Sequence, residues 1–487
     1  MHSHRHRRQH QPAAASSEPS KRTLLILLCV AQLMVILDIS AVNVALPSLS
    51  SDLSINPGDV SWTITAYSLV FGSLLLFGGR AADLLGRRRV FLGGLGVFTA
   101  SSLASALAQT STVLFAARAG QGLGAAMLSP AALSIIMTSF SGTGERTRAL
   151  GVWGAVGGAG AAVGVLLGGA LTELIDWRAI FFINLPVGAV LAAGAMRIVP
   201  SEPSGPRWEG LDVRGAALAT LSLAALIFAI SQASSAGWAS LQTLGVGFAG
   251  VAGLAGFAVL ELHTANPLLR IQRLGDREVG GGMLMMLAAA SVLFGGFLLT
   301  SLYMQNVLGT GALLTGLAFL PMALATGAGA HLGSQSIARF GVRAPVAAAF
   351  AVAGGGMLLL SGADADGSYV VDVLPGMVIA GLGLGVTLVG VAVSVLTSAA
   401  ANETGMLSGL NTTGHELGGS LGVAVLVSIA TGGVDATSKA GLASGLDSAF
   451  LAAGIIAAVA GVLALIILPS ARSFLPKLAL APRIALH

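Results

Sequence analysis

Residues 37–47 read LDISAVNVALP, and they follow the apolar run 24–37 without a break. The two stretches make one hydrophobic helix. Asp38 lies about 21 Å into it, at a rise of about 1.5 Å per residue. A carboxylate at that depth faces either hydrocarbon or the inside of a helix bundle. Even on the mildest scale it costs about 2.5–3.5 kcal/mol near a bilayer centre. Two uses would keep it there. It binds and releases a proton or a cation, or it is paired permanently with an arginine as structural glue. Only a handful of acids sit inside apolar runs of this chain, and Asp38 is taken as the candidate proton-binding group.

The composition agrees with a membrane setting. Of 487 residues, 55% are hydrophobic and only 9% are charged, against about 25% charged in soluble domains. Mean hydropathy is +0.86. The 67 glycines suit helices that approach closely in lipid. The sequence pI of about 9.7 does not indicate nucleic acid, because the basic residues are spread through short connections. The lone Cys29 excludes an intramolecular disulfide. The apolar run after Lys21 and Arg22 is too long for a cleaved signal and lacks a clean small-residue cleavage site, so a retained anchor is expected.

Apolar segments of spanning length alternate with short polar breaks. Spans are expected near 24–47, 60–79, 90–108, 113–137, 147–171, 179–199, 213–233, 242–262, 281–304, 313–333, 344–361, 371–396, 406–431 and 449–469, about fourteen in all. Lys and Arg test the count. One side receives Arg5, Arg7, Arg8, Lys21, Arg22, Arg80, Arg87, Arg88, Arg89, Arg146, Arg148, Arg207 and Arg214. It also receives Arg270, Arg273, Arg277, Arg339, Arg343, Arg472, Lys477 and Arg483. The other side receives Arg178 and Lys439. The positive-inside rule then puts both termini in the cytoplasm of a multi-pass plasma-membrane protein.

A weak internal repeat relates GRAADLLGRRR at 79–89 to GSQSIARFGVR at 333–343. Aligning Gly86 with Gly341 also carries the first span onto the ninth. Two six-span halves related by an axis along the membrane normal would produce this. The expected organisation is a polar tail at 1–22, a first six-helix bundle at 23–200, a linker and central two-helix insert at 201–279, a second six-helix bundle at 280–470 and a tail at 471–487. The stretch PSEPSGP at 200–206 reads as the linker. The histidines at 2, 4, 6 and 10 could bind a metal, but a basic tail is the preferred reading and no metal site is expected.

The loop at 79–89 combines glycines for a tight turn with Asp83 and an arginine cluster. Asp83 could bond the N-terminus of another helix, and Arg87 and Arg88 could pair with acids or lipid headgroups. A topogenic positive loop is the plainer alternative. The loop resembles motif A of the major facilitator superfamily. With 37–47 and the span count, the chain resembles the fourteen-span drug:proton antiporters of the EmrB/QacA type over residues 23–470. FAARAGQGLGAA at 115–126 is similar to that family's motif B, with Arg118 at its basic position, and DWRAIFFINLP at 176–186 resembles the start of its sixth span.

The resemblance implies an all-α major facilitator fold and export of drugs or amphipathic organic compounds against inward proton flow. No cofactor is implied beyond the proton gradient. It also implies that Arg118 assists proton transfer with Asp38. The plainer alternative for Arg118 is glue between helices through backbone carbonyls, and the proton role is the preferred reading. Gln121 shares a helical face with it. The glycines of the fifth span, among them Gly160, Gly164 and Gly168, form a small-xxx-small seam that is similar to motif C. Val165 stands where that motif has a proline that would kink the helix.

The thirteenth span opens SGLNTTGHELGGS at 408–420. Its polar stripe includes Thr412 and Glu416. Glu416 could bind a cationic substrate or a second proton, or it could sit in cytoplasmic solvent. His415 falls on a different face and reads as structural. Asn411, Asn43, Gln121, Tyr67 and Phe294 complete the candidate cavity; Gly79, Asp83, Gly86, Arg87, Arg88, Gly160, Gly164 and Gly168 are the candidate gating set. The expected partners are a small organic substrate, protons and the bilayer, with no nucleic acid and a monomeric state. Nothing resembles a phosphate-binding P-loop or a hydrolase triad, so no enzyme activity is expected. An uptake symporter on the same fold and a membrane sensor without turnover are the alternatives.

Overall fold

The computed structural model describes residues 18–55, 59–60, 62–140, 143–200, 212–265, 267–400, 403–432 and 438–480. The histidine-bearing start of the tail, residues 201–206 of the linker stretch and residues 481–487 lie outside the described residues. The chain runs through α1 (Glu18–Asp52), α2 (Trp62–Leu85), α3 (Arg87–Ala106), α4 (Ser111–Ser139), α5 (Thr143–Leu174), α6 (Ala179–Phe182) and α7 (Asn184–Ile198). There follow α8 (Val213–Ala236), α9 (Leu241–His263), α10 (Val279–Leu302), α11 (Ala312–Ala318) and α12 (Leu320–Phe340). The last are α13 (Arg343–Leu360), α14 (Leu374–Thr397), α15 (Thr404–Thr431), α16 (Lys439–Ile467) and α17 (Ala471–Leu480). No strand occurs among the described residues.

Twelve helical stretches among the described residues are long and apolar enough to cross a membrane. Two further helices, α5 with 32 residues and α15 with 28, are also long enough. The described apolar part of α5 is shorter, Val163–Leu174. At about 1.5 Å per residue each exceeds the roughly 30 Å of a hydrocarbon core. The first group of helices packs as α2 on α3 and α4, with α1 on α5 and α7. The second packs as α12 and α13 on α14, with α10 on α15 and α16. The groups meet along α2 with α15 and α5 with α12. The pair α8 and α9 packs together, and α8 lies against both α2 and α15.

Gly86 has φ 97° and Gly341 φ 70°. The two glycines aligned by the internal repeat thus both use backbone that an L side chain rarely adopts. Each ends one helix and starts the next at the arginine-rich end of its half.

Pro130 lies inside α4 and offers no N–H to the carbonyl four residues earlier, that of Ala126. Gly78 of α2 faces that oxygen: a Cβ on Gly78 would stand 2.0 Å from it. Glycine is required because backbone approaches backbone. Gly78→Ala is expected to destabilise the protein by about 1–3 kcal/mol. Gly96→Ala on α3, where a Cβ meets nothing within 4 Å, is the matched control and should leave stability nearly unchanged. Thermal unfolding in detergent compares them.

The seam on α5 packs on α1. A Cβ at Gly164 would be 1.8 Å from the Ser40 hydroxyl oxygen, and one at Gly168 2.6 Å from the Cα of Ala41. The helix runs unbroken through Val165. This close approach fixes the depth and rotation of α1 and therefore of Asp38.

Candidate functional site: a buried ion pair beside a shared cavity

Thr110 caps α4, its hydroxyl accepting from the Val113 amide at 3.4 Å. About two turns later come Arg118 and, one turn on, Gln121. Both turn inward toward α1. Asp38 is 1% exposed, Arg118 1% and Gln121 0%. Arg118 Nη1 donates to Asp38 Oδ2. Gln121 Nε2 donates to Asp38 Oδ1 at 2.7 Å, and Asn184 Nδ2, at the start of α7, donates to the same oxygen at 3.1 Å. Both amides also donate to the Ser102 hydroxyl on α3, at 2.9 and 3.2 Å. The carboxylate therefore accepts from three side chains on two helices, α4 and α7, and α3 braces the two amides through Ser102.

Arg118 is shared more widely. Its Nε donates to the Thr63 carbonyl of α2 at 3.0 Å, and Nη1 donates to Gln121 Oε1 at 2.9 Å. Its guanidinium lies 4.5 Å from the Tyr67 ring centre and 5.9 Å from that of Phe181. The charge is balanced by one carboxylate and two aromatic faces, which suits an ion held out of water. Arg118 thus touches Asp38 and also ties to a backbone carbonyl.

A cavity of about 170 Å³ lies between the two groups of helices. Asn43, Phe71, Phe294, Asn411, Thr412 and Glu416 line it. Gln121 and Tyr67, expected at the cavity, are not on its wall; both lie in the buried cluster around Asp38. Asp38 and Arg118 do not line it either. Glu416 is partly exposed there, with His415 Nδ1 3.1 Å from its Oε1. The His415 ring meets Phe294 edge-on at 5.0 Å. So His415, read as structural, is a cavity residue. A cavity wide enough to touch two neighbouring faces of a helix takes adjacent residues together. Asn411 is 6% exposed, and its side-chain oxygen meets no hydrogen-bond partner among the described residues.

The gating set divides. Asp83, buried at the end of α2, accepts from the amides of Gly405 at 2.9 Å and Met406 at 3.0 Å, in the first turn of α15. Arg87 reaches Thr404 Oγ1 at 3.1 Å and Ser134 Oγ at 2.8 Å. A Cβ on Gly79 would stand 2.2 Å from the Gly405 oxygen. These three residues form a joint between the helix groups, with Gly86 as its turn. Arg88 instead donates to the Met196 carbonyl of α7. Gly160, Gly164 and Gly168 lie on α1 rather than at the joint.

Sequence reasoning missed Ser102, Asn184 and Ser105, whose hydroxyl donates to Gln121 Oε1 at 3.2 Å. Asn184 carried a signal, since it is a lone amide in the apolar run at 179–199. Ser102 and Ser105 carried none, since serines are common in spanning helices.

The chain matches the family model described as Major Facilitator Superfamily over residues 28–423. It is 38% identical to the puromycin resistance protein pur8 of Streptomyces alboniger over 423 residues, 86% of this chain and 84% of that one. It is 38% identical to the cephamycin export protein CmcT of Amycolatopsis lactamdurans over 469 residues, 95% of both. Among solved structures it resembles the human organic anion transporter MFSD10, with a TM-score of 0.65, 17% identity and coverage of 92% of this chain and 100% of that one. The transporter FucP gives 0.61 at 13% identity, covering 93% and 100%. These matches agree with the all-helical, two-group architecture, and the chain belongs to the major facilitator superfamily, a family of membrane transporters and not of enzymes.

Proposed function

We propose that the protein is a proton-coupled exporter of organic compounds, an antiporter of the fourteen-span drug:proton kind. It would sit in the plasma membrane as a monomer with both termini in the cytoplasm. The observation that carries this reading is the Asp38–Arg118 pair, buried beside the cavity yet sealed from it. An ion pair in that setting holds when Asp38 is ionised and comes apart when it takes a proton. It therefore converts proton binding into a change of shape. The relatives' names, which speak of puromycin resistance and cephamycin export, support the direction and the substrate class. The length of α5 and α15, beside the twelve apolar stretches, supports a count of fourteen.

The cavity adds detail. Glu416 offers a carboxylate, Asn411 an unsatisfied acceptor, and Phe71 and Phe294 apolar rings. These suit an amphipathic compound with a cationic group and a further hydrogen-bond donor. Glu416→Gln is expected to weaken binding of a cationic compound about 10- to 100-fold, since a hydrogen bond to a charged group contributes about 1.5–3 kcal/mol. Neutral compounds should be much less affected. Equilibrium binding of ethidium and of a neutral compound such as chloramphenicol to the purified protein measures this.

Transport is tested in inverted membrane vesicles acidified inside. An exporter loads them with ethidium or puromycin. Loss of those compounds on acidification would instead indicate an uptake symporter, and the absence of saturable flux would indicate a protein without turnover.

A further inference from the structure

Asp38 and Arg118 stand apart from the cavity, so their charge state needs a route to it. Two of Arg118's contacts are on α2: the Thr63 carbonyl and the Tyr67 ring. From there Thr63, Tyr67, Phe71, Leu75, Gly79 and Asp83 recur every four residues. Four residues turn an α-helix about 40° past a full circle. The row is therefore a ridge that winds about halfway round α2, from the side facing α4 to the side facing α15. Its members touch what such a route requires. Tyr67 and Phe71 have ring centres 5.6 Å apart, and Phe71 lines the cavity. A Cβ on Gly409 of α15 would stand 2.6 Å from the Leu75 oxygen. Gly79 and Asp83 make the joint with the start of α15.

A second observation marks the head of the ridge. The hydroxyls of Thr63 and Tyr67 are both buried and both lack a hydrogen-bond partner among the described residues. Such groups are disfavoured unless another state uses them. Both belong to residues that touch Arg118 by other atoms, the Thr63 carbonyl and the Tyr67 ring. The charged and titratable groups facing the pair are few. Tyr67 comes from α2, while α3 and α7 present Ser102 and Asn184, and α5 presents glycines to α1.

We propose that Tyr67 is the positioning residue through which the Asp38–Arg118 pair acts on the cavity and on the joint. This rests on the reading of Asp38 as the proton-binding group. With Asp38 ionised, the guanidinium is divided between the carboxylate and the Tyr67 face. With Asp38 neutral, the guanidinium keeps the Thr63 carbonyl and the Tyr67 face as its partners on α2. Arg118 then draws on α2, Phe71 follows Tyr67 at the cavity wall, and the far end of the ridge lifts Asp83 from the α15 amides.

The test needs no substrate. In a Cys29→Ser background, spin labels on Arg89→Cys and Ala338→Cys report the separation of the halves at the arginine-rich end. The full chain is placed in lipid nanodiscs and the distance distribution is followed from neutral to acidic buffer. The parent is expected to shift with pH, and Asp38→Asn to lose the shift. Tyr67→Phe, which keeps the ring, should retain it. Tyr67→Met, of similar volume without an aromatic face, should lose it, as should Tyr67→Leu. A Tyr67→Met or Tyr67→Leu protein that shifts like the parent would overturn the role of Tyr67 alone. Loss of the shift in Tyr67→Phe would overturn the part given to the ring. A pH-insensitive parent, or an Asp38→Asn protein that still shifts, would strike the reading of Asp38 itself.

Discussion

Asp38→Asn is expected to yield a protein that folds and inserts but no longer accumulates substrate against a gradient. Reconstituted into liposomes with an imposed pH difference, it should lose coupled transport to background while still letting a probe such as ethidium equilibrate downhill. The reason lies in the partners. An asparagine can accept from Arg118 through its oxygen, so the cluster keeps much of its shape. It cannot take up or give up the proton.

The variant does leave a buried guanidinium without a counter-charge. Breaking a buried pair from one side costs about 3–5 kcal/mol, though here the Tyr67 and Phe181 faces and the Thr63 carbonyl remain. A drop in thermal stability is therefore expected. Adding Arg118→Gln should recover part of it, because the two sites touch and their effects do not add. Coupled transport should stay absent. Stability that returns without transport separates the structural share of the pair from its functional share. Full pH-driven accumulation in Asp38→Asn would remove Asp38 from the mechanism.

The second large effect is expected at Asp83. Its two oxygens each accept one amide from the first turn of α15. That is the helix-capping arrangement, and removal of such a cap costs about 0.5–2 kcal/mol. Arg87, 3.4 Å away, loses its carboxylate as well. These contacts cross between the halves, so the loss falls on the conformation that is closed at this end and not on its alternative. Asp83→Ala should then move the equilibrium about tenfold toward the open form. Ser408→Cys in a Cys29→Ser background gives the measurement, because Ser408 is fully buried one residue from Gly409 at the seam. Its labelling by a water-soluble maleimide is expected to quicken by a similar factor. Unchanged labelling in a folded Asp83→Ala protein would show that the cap does not hold the joint.

How much of this was legible depends on the kind of residue. Asp38 and Arg118 stood out because a charge in an apolar run demands a partner, and the structure supplies each with the other. Asp83 was legible as a capping carboxylate, but the helix it caps lies more than three hundred residues further on, a distance that no local pattern bridges. Gln121 was placed on the correct face of α4, yet its company could not be read. A neutral amide fits a substrate cavity and a buried cluster equally well.

The span count shows the same tension from the other side. The helix α15 carries Asn411, Thr412, His415 and Glu416 in its first half. It is absent from the twelve stretches that pass on hydropathy. The residues that equip it to face a cavity also lower its apolar signal. Its length and the Lys and Arg alternation, which does not depend on how polar a span is, are what favour reading it as a span.

Asp38 is expected to exchange a proton while buried against Arg118. Infrared difference spectroscopy of the full chain in lipid, between neutral and acidic buffer, sees that proton directly. The account predicts a carbonyl band of a protonated carboxylic acid that grows on acidification, has the high frequency of an acid shielded from water, and is missing in Asp38→Asn. A spectrum without such a band, or one in which the band survives in Asp38→Asn, would contradict it.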